Sequence, residues 1–312
     1  MTGNIITEMA PAKINLYLRI CGRRDDGYHL LDSAVIFTAF GDRISLTPAT
    51  TDSLTITGAF ADALIDQTPA NPASANPAVP DASHQNLSPN LCPNLCMQAL
   101  AAFRDAGGVI APLAITLDKR IPVGAGLGGG SADAAAILRA LNANADHPVT
   151  SETLDALAAS LGADVPACLR AHSLRMTGIG DQITPLTLAG TASSVTDTPI
   201  SVLLANPMIP LATADVFRSL NAAGSGHAGT IDASDIPALV GLGNDLTDTA
   251  CQLVPEIASL LALLQQQSGC RIAAMSGSGA SCFALFDHAA ACNDARDTLR
   301  QSGFWAEATH II

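Results

Sequence analysis

The chain has 312 residues, of which 48% are hydrophobic and 14% are charged, so it can bury a full core and is not a disordered chain. Its 15 basic and 28 acidic residues give a formal net charge of −13. This charge argues against a nucleic-acid binder, because such proteins need a basic face. A small polyanionic ligand remains compatible with it, since that ligand needs only a local positive pocket. Only two of the basic residues are lysines, Lys13 and Lys119.

None of the eight cysteines lies in the C-x-x-C pattern of a zinc or thioredoxin-type site, so we predict that all are reduced thiols. The N-terminus lacks the basic start and apolar run of a secretory signal. The longest apolar stretch, residues 257–264, is far shorter than the ~20 residues that a spanning helix needs. These features predict a soluble, cytoplasmic protein without a membrane partner.

Short strands with turn signals between them predict an antiparallel β region at the start of the chain. Residues 14–20 alternate apolar and polar side chains, which predicts a half-buried strand with Lys13 and Asn15 on its polar side. Further strands are predicted at residues 34–40, 43–47 and 53–57. Scattered prolines without an apolar period then predict an exposed, mobile insertion at residues 61–90.

After the insertion, helical and strand patterns alternate. We predict a helix at residues 94–106, a strand at 113–117, a helix beginning near Ser131 and another helix at 152–161. Asp164 follows the last of these helices, on a loop that Pro166 is expected to hold.

The second half has the order strand, helix, strand, strand, helix, strand. The strands are predicted at residues 200–205, 271–275, 282–286 and 304–311, and the helices at 214–220, 255–267 and 289–301. This order is typical of the split βαβ arrangement, so we predict an α+β protein with two domains. The boundary is expected near residues 166–172, which divides the chain into residues 1–168 and 169–312.

The strongest local motif is PVGAGLGGGSA, residues 122–132, which runs directly into the helix near Ser131. Its five glycines leave backbone N–H groups uncovered, and together with the helix N-terminus they can form a nest for phosphate oxygens. The alternative is a flexible loop capped by Ser131. A Walker-type loop would need a lysine after the glycines, and none follows. A dinucleotide-binding fold is disfavoured because the motif comes late, after a β region.

This motif, extended to PVGAGLGGGSADAA, resembles the central motif of the GHMP kinase superfamily. Three more stretches, PAKINLYLRICGRRDDGYHLLDS (11–33), LGADVP (161–166) and MSGSGASCF (275–283), resemble the 4-diphosphocytidyl-2-C-methyl-D-erythritol kinases. The resemblance covers the chain apart from residues 61–90 and 189–199. It implies a two-domain GHMP kinase fold that uses ATP and Mg²⁺. It also implies phosphorylation of the 2-hydroxyl of a cytidine diphosphate-linked polyol, in the non-mevalonate isoprenoid pathway.

The resemblance also implies roles for individual residues. Asp164 would be the general base and Lys13 its partner, while Lys119 would lie near the nucleotide. The ATP phosphates would be bound by Pro122, Val123, Gly124, Ala125, Gly126, Leu127, Gly128, Gly129, Gly130, Ser131 and Ala132. The acceptor site would be lined by Asn15, Tyr28, His29, Thr213, Phe217, Gly277 and Gly279. Tyr28 and Phe217 would sandwich the cytosine, His29 would bind its edge, and Ser131 is the candidate magnesium ligand.

Two positions depart from the family pattern: Leu211-Ala212 lengthens the spacing before Thr213, and Ala125 replaces a usual glycine. Without the resemblance, Asp164 is a cap or turn residue and Tyr28-His29 a solvated turn. Phe217 is then a core residue, and residues 275–281 form a hairpin turn. Two alternative functions are a GHMP kinase acting on homoserine or mevalonate, and a non-catalytic nucleotide-binding protein of the same fold.

Overall fold

The structure is a computed structural model that describes residues 5–25, 27–65, 94–188, 199–220, 226 and 236–312. The chain divides into two compact units, each built from separated segments. The first unit comprises Met1–Ala10, Gly41–Val123 and Gly130–Val165, and the second comprises Pro11–Phe40, Gly124–Gly129 and Pro166–Ile312. The domains 1–168 and 169–312 stay a prediction, since the packing units follow a different path along the chain.

Two long strands contribute residues to both units. They are β1 (Ile6–Arg23) and β2 (His29–Pro48), and they pair with each other. The strands predicted at residues 34–40 and 43–47 are confirmed as extended segments, but both belong to β2, so the predicted break between them is wrong. The chain stays extended through Gly41-Asp42, where the Asp42 carboxylate accepts hydrogen bonds from the backbone N–H groups of Arg120 and Ile121.

The first unit combines helices with part of a sheet. Its further elements are β3 (Ser53–Thr57), α1 (Ala61–Ile65), α2 (Leu95–Asp105), β4 (Leu113–Asp118), α3 (Gly129–Asn144) and α4 (Ser151–Leu161). Strand β4 pairs antiparallel with residues 43–48 of β2 and parallel with β3. The predicted strands 53–57 and 113–117 and the helices 94–106 and 152–161 are confirmed, each to within one residue at either end. Helix α1 occupies the start of the predicted insertion, and residues 66–93 lie outside the described residues.

The second unit contains the split βαβ sheet. Its elements are α5 (Val165–Arg170), β5 (Leu174–Gly178), β6 (Gln182–Pro185), β7 (Ser201–Asn206), α6 (Thr213–Ser219), α7 (Ile236–Gly241), α8 (Thr247–Leu253), α9 (Glu256–Gln265), β8 (Cys270–Met275), β9 (Cys282–Phe286), α10 (Ala289–Gln301) and β10 (Trp305–His310). The order β10-β7-β9-β8, antiparallel throughout, confirms the predicted α+β arrangement. Strand β5 pairs with residues 31–35 of β2 and with β6; neither β5 nor β6 is apparent from the sequence pattern.

The apolar core of the second unit includes residues from the start of the chain. Leu18 and Ile20 of β1 pack in one cluster with residues of the β7–β10 sheet and its helices, among them Leu203, Val216, Ile257, Phe286 and Leu299. Burial of this apolar surface is the main stabilising contribution to such a core. The unit therefore needs β1 for its packing as well as the C-terminal half of the chain.

Residues 10–18 of β1 are buried on both faces, so the predicted half-buried strand with a polar, exposed side is wrong over these residues. Asn15 and Tyr17, on the predicted polar side, are 3% and 0% exposed. The Asn15 amide nitrogen and the Tyr17 hydroxyl can be buried because both are hydrogen-bonded. The Tyr17 hydroxyl donates to Asp32 Oδ1 over 3.0 Å, and the Arg175 guanidinium donates to both oxygens of the same carboxylate.

The seven cysteines of the described residues are all free thiols, while Cys92 lies outside those residues. Burial raises the pKa of Cys292 to about 11 and raises the pKa of Cys282 as well, so both stay protonated and unreactive at neutral pH. In the part of the chain that the structure describes, no helix is long and apolar enough to cross a bilayer.

Candidate active site

The glycine-rich run adopts the backbone conformation that a phosphate nest requires. Gly124, Gly126 and Gly128 have φ angles of 66°, 74° and 66°, and each alternates with a residue of negative φ. This alternation turns successive N–H groups toward one side. Helix α3 begins at Gly129, so its unpaired N-terminal N–H groups follow directly along the chain. These groups fit the phosphates of ATP in both charge and hydrogen-bonding capacity.

The glycine-rich run packs closely against a turn formed by residues 276–281, within the second unit. The Ser276 hydroxyl donates to the Gly126 carbonyl over 3.1 Å, and the Ser281 N–H donates to the Ala125 carbonyl over 3.2 Å. A Cβ atom at Gly126 would lie 2.6 Å from the Gly279 carbonyl oxygen and 2.7 Å from that of Ser276. Only glycine permits this approach at position 126.

Lys13 lies along the same glycine-rich run. Its N–H donates to the Leu127 carbonyl over 2.9 Å. A Cβ atom at Gly128 would lie 3.2 Å from Lys13 Cβ and 3.3 Å from its Cε, so the lysine side chain runs beside Gly128. Two of the predicted motifs, the Lys-Ile-Asn segment and the glycine-rich run, are thus brought together in the second unit.

Asn15 connects β1 to the turn at residues 276–281. Its N–H donates to the Ser276 hydroxyl over 3.2 Å, and its side-chain amide donates to the Ser33 hydroxyl over 2.8 Å. The Asn15 Oδ1 atom is buried and has no hydrogen-bond partner in the described residues. A buried acceptor of this kind marks a place where a ligand donor fits.

Of the predicted aromatic residues, His29 and Phe217 stack on each other. Their ring centroids are 5.1 Å apart, with 29° between the ring planes, and Phe217 also packs against the core cluster. Burial lowers the pKa of His29, and the nearby Arg23 guanidinium lowers it further, which favours the neutral imidazole. Tyr28 is 62% exposed. The Thr213 hydroxyl lies 2.8 Å from that of Ser278, which places Thr213 beside the turn at residues 276–281.

Lys119, in the first unit, is held by two carboxylates. Its Nζ lies 2.5 Å from Asp42 Oδ2 and 2.7 Å from Asp133 Oδ2, and its side chain is 3% exposed. Burial opposes the lysine charge, but Asp133 and Asp42 outweigh it and raise the pKa of Lys119. Two buried carboxylates already compensate the charge of this ammonium, which argues against a contact between Lys119 and ATP. The contact stays a prediction.

Asp164, the predicted base, lies in the first unit between two helices. Helix α5 begins at the next residue, Val165, whose N–H donates to the Gly162 carbonyl over 3.1 Å. The expectation that Pro166 holds a loop is wrong, because Pro166 occupies the first turn of α5. A proline is tolerated there, since the first N–H groups of a helix have no partner within it.

Comparisons with known proteins relate these features to a family. Sequence models described as the GHMP kinases N terminal domain and GHMP kinases C terminal match residues 94–172 and 232–303. A 4-diphosphocytidyl-2-C-methyl-D-erythritol kinase of Gluconacetobacter diazotrophicus is 38% identical, with 96% of this chain and 93% of that protein covered. One from Paramagnetospirillum magneticum is 39% identical, covering 89% of this chain and 87% of that protein. The chain belongs to the 4-diphosphocytidyl-2-C-methyl-D-erythritol kinase family.

Solved structures agree with this membership. A crystal structure of a 4-(cytidine 5′-diphospho)-2C-methyl-D-erythritol kinase superposes with a TM-score of 0.74 at 29% identity, covering 98% of this chain and 99% of that one. A homoserine kinase from Cytophaga hutchinsonii gives a TM-score of 0.64 at 16% identity, covering 99% of this chain and 94% of that one, which shows a shared fold. The two-domain GHMP kinase fold predicted from the sequence is confirmed.

Sequence reasoning missed several polar residues that hold the site of this family member together. Asn244 donates to the carbonyls of Met275 and Gly277 over 3.1 and 2.8 Å, and its Oδ1 accepts the Leu246 N–H. It thereby fixes the start of the turn at residues 276–281. The only local signal is the Gly-Asn pair at 243–244, which is typical of any turn. Ser33 and Ser276 lie within the family-like stretches 11–33 and 275–283, but nothing local to either serine indicates what its hydroxyl binds.

The described residues contain no group of three or more His, Cys, Asp or Glu side chains that could hold a metal ion. Ser131, the candidate magnesium ligand, lies at the third position of α3 and is half-buried. Its role as a ligand stays a prediction.

Proposed function

We propose that this chain transfers a phosphoryl group from ATP to the 2-hydroxyl of 4-diphosphocytidyl-2-C-methyl-D-erythritol, giving the 2-phosphate and ADP. One observation carries the proposal. In a member of this kinase family, the glycine nest, Lys13, the unpartnered Asn15 Oδ1 and the turn at residues 276–281 pack together in one unit. Together these residues offer N–H groups and a lysine that can bind phosphate, and a carbonyl oxygen that can accept a hydrogen bond from a substrate hydroxyl.

The phosphate side of the reaction depends on the backbone. The backbone N–H groups of residues 123–132 would donate to the phosphates. When bound, ATP would supply the transferable phosphoryl group and Mg²⁺ would supply a counter-charge for it. Fixed N–H donors stabilise charge that develops in the transition state without reorganising. The Ser276 and Ser281 hydrogen bonds to the run hold these donors in place.

The acceptor side needs a base, because an alcohol is a poor nucleophile. We assign this role to Asp164, which would take the hydroxyl proton as the oxygen attacks phosphorus. Lys13 would stabilise the developing negative charge on the reacting oxygens. Both assignments follow from the match of LGADVP and PAKIN to the family's motifs.

The cytidine end of the substrate is assigned to the aromatic residues. The lowered pKa of His29 favours a neutral ring with one donor and one acceptor nitrogen, which suits the edge of cytosine. The stack with His29 covers one face of Phe217, so a base sandwiched with Tyr28 would use its other face. Thr213 and the Gly277 and Gly279 backbone would contact the same substrate.

A panel of acceptors tests the proposal. Purified protein with Mg²⁺ and ATP should release ADP with 4-diphosphocytidyl-2-C-methyl-D-erythritol, and not with homoserine or mevalonate. Release of ADP with homoserine or mevalonate alone would assign a different GHMP kinase activity. Binding of ATP without turnover on any acceptor would show a non-catalytic nucleotide-binding protein. Cytidine monophosphate should compete with the acceptor, since it carries the same base.

A further inference from the structure

We propose that Ser33 is a positioning residue that fixes the Asn15 side-chain amide, so that Asn15 Oδ1 faces the substrate as an acceptor and accepts a hydrogen bond from a substrate hydroxyl. The inference rests on the proposed function and names a specificity determinant within it. Ser33 lies on β2 and is 2% exposed. It is the last residue of the family-like stretch 11–33, and the resemblance assigns it no role.

The orientation of the Asn15 amide follows from the hydrogen bonds of Ser33. The Ser33 hydroxyl lies 2.5 Å from the Tyr17 carbonyl oxygen, which can only accept, so the hydroxyl proton is committed to Tyr17. Toward Asn15, 2.8 Å away, Ser33 Oγ can then only accept. The nitrogen of the amide must therefore face Ser33, and the opposite orientation would set two acceptors against each other.

Because the nitrogen faces Ser33, the oxygen faces the other way. Asn15 is 3% exposed, and its Oδ1 has no hydrogen-bond partner in the described residues. A Cβ atom at Gly277 would lie 3.5 Å from this oxygen, which places Oδ1 beside the turn at residues 276–281. A buried acceptor without a partner has lost its hydrogen bonds to water, which costs free energy. A ligand that donates a hydrogen bond to Asn15 Oδ1 would offset this cost.

The consequence is a chemical preference at this point of the site. A hydroxyl group of the polyol can donate to Asn15 Oδ1, whereas a carbonyl or an ionised phosphate oxygen cannot. A site built to accept from a hydroxyl rejects an analogue that lacks it, because the protein group is then left unpaired. Without the Ser33 acceptor, the amide could turn and this preference would be lost.

The test is a double-mutant cycle with Ser33→Ala, Asn15→Ala and the double variant, because coupling shows that one residue acts through the other. Ser33→Ala should raise KM for the diphosphocytidyl polyol by about tenfold, the equivalent of one lost hydrogen bond, and leave KM for ATP unchanged. In the Asn15→Ala background, Ser33→Ala should change the acceptor KM by less than about twofold. Ser33→Thr, which keeps the hydroxyl, should restore the acceptor KM.

Ser173→Ala is the matched control, since Ser173 is a buried serine of the same unit outside the site, and it should leave both KM values unchanged. The inference is overturned if the two single effects multiply in the double variant, or if KM for ATP rises as much as that for the acceptor.

If Ser33→Ala does not fold, binding of monodeoxy analogues of the acceptor to the wild type and to Asn15→Ala tests the inference instead. For one analogue, binding to the wild type should be about tenfold weaker than that of the full acceptor, whereas Asn15→Ala should bind the analogue and the full acceptor equally well. If the analogue loses the same affinity in both proteins, the inference is overturned. A wild type inactive on the acceptor would instead refute the proposed function.

Discussion

At the scale of single residues, burial rather than residue type decides what a charged side chain does. The two lysines of this chain are equivalent in the sequence, and both are expected to handle phosphate. Lys119 lies within 2.7 Å of two buried carboxylates, those of Asp42 and Asp133, which compensate its charge. Lys13 follows the glycine-rich run. The contribution of Lys119 to the positive potential of the site stays a prediction, and its two ion pairs argue against it.

The Lys119 cluster predicts a pH dependence of stability. Burial, opposed by Lys119 and reinforced by Asp42, raises the pKa of Asp133 from 3.8 to about 7. The folded protein then binds more protons than the unfolded chain between about pH 4 and 7, so this group lowers the free energy of unfolding as pH rises through that window. Asp133→Asn, which does not titrate, should gain stability relative to the wild type over the same range.

Urea unfolding at several pH values between 5 and 8 would measure this difference. Asp146→Asn removes an exposed carboxylate of the same unit and should follow the wild-type pH dependence. If the Asp133→Asn and wild-type curves stay parallel, Asp133 does not titrate in this window.

Asp164 carries the second prediction at this scale. Asp164→Asn keeps the size of the side chain but cannot accept the hydroxyl proton, so kcat should fall by a factor of ~10² or more. The dissociation constant for ATP should stay unchanged, as measured by calorimetry. Asp146→Asn again serves as the control. A kcat near that of the wild type would remove Asp164 from the base role.

At the scale of elements, close packing of the glycine-rich run against the turn at residues 276–281 shapes the candidate site. The structure requires glycine at different positions of the run for different physical reasons. Gly124 and Gly126 both have positive φ, but a Cβ atom at Gly124 would meet nothing within 4 Å, whereas one at Gly126 would meet two carbonyl oxygens. Backbone conformation and close approach can therefore be separated by experiment.

Gly126→Ala should weaken ATP binding more than Gly124→Ala. At position 124 the only cost is that of holding an alanine in the left-handed conformation that Gly124 adopts, about 1–2 kcal/mol. At position 126 it also forces two segments apart, which adds about 1–3 kcal/mol. Calorimetric titration with ATP would measure both variants. Equal losses of affinity would mean that contact with the turn does not position the run.

At the scale of the whole molecule, the packing units do not follow the order of the chain. Strand β1 contributes Leu18 and Ile20 to the core of the second unit. The Leu18 backbone exchanges hydrogen bonds with Gly243 and Asp245, and the Ile20 N–H donates to the Asp245 carboxylate over 2.7 Å. The C-terminal half of the chain therefore lacks part of its own unit.

A fragment of residues 169–312 should consequently fail to fold cooperatively, because it exposes the apolar surface that β1 and β2 cover. Fusing residues 11–40 ahead of residues 166–312 should restore a cooperative thermal transition. Near-UV circular dichroism, together with fluorescence of Trp305, the only tryptophan, would measure this in both fragments. A sharp transition in the shorter fragment would show that the sequence-based domain 169–312 is an independent folding unit.

The sequence alone determined the features that depend on neighbouring residues. Helix α2 begins where Asn94 caps it, with the side chain accepting from the Cys96 N–H, and such a cap can be read within a few residues. The glycine-rich run, the element order of the split βαβ sheet and the family motifs are likewise local patterns, and all were predictable.

Only the tertiary structure decided which distant residues meet. Asn15 and Ser276 are 261 positions apart, and Lys119 and Asp42 are 77 apart. No periodicity or spacing connects such pairs, because their contact results from how strands and turns pack. The same packing decided that both faces of β1 are buried over residues 10–18 and that Phe217 stacks on His29. The candidate chemistry could therefore be predicted from motifs, whereas the side chains that orient it depend on long-range contacts.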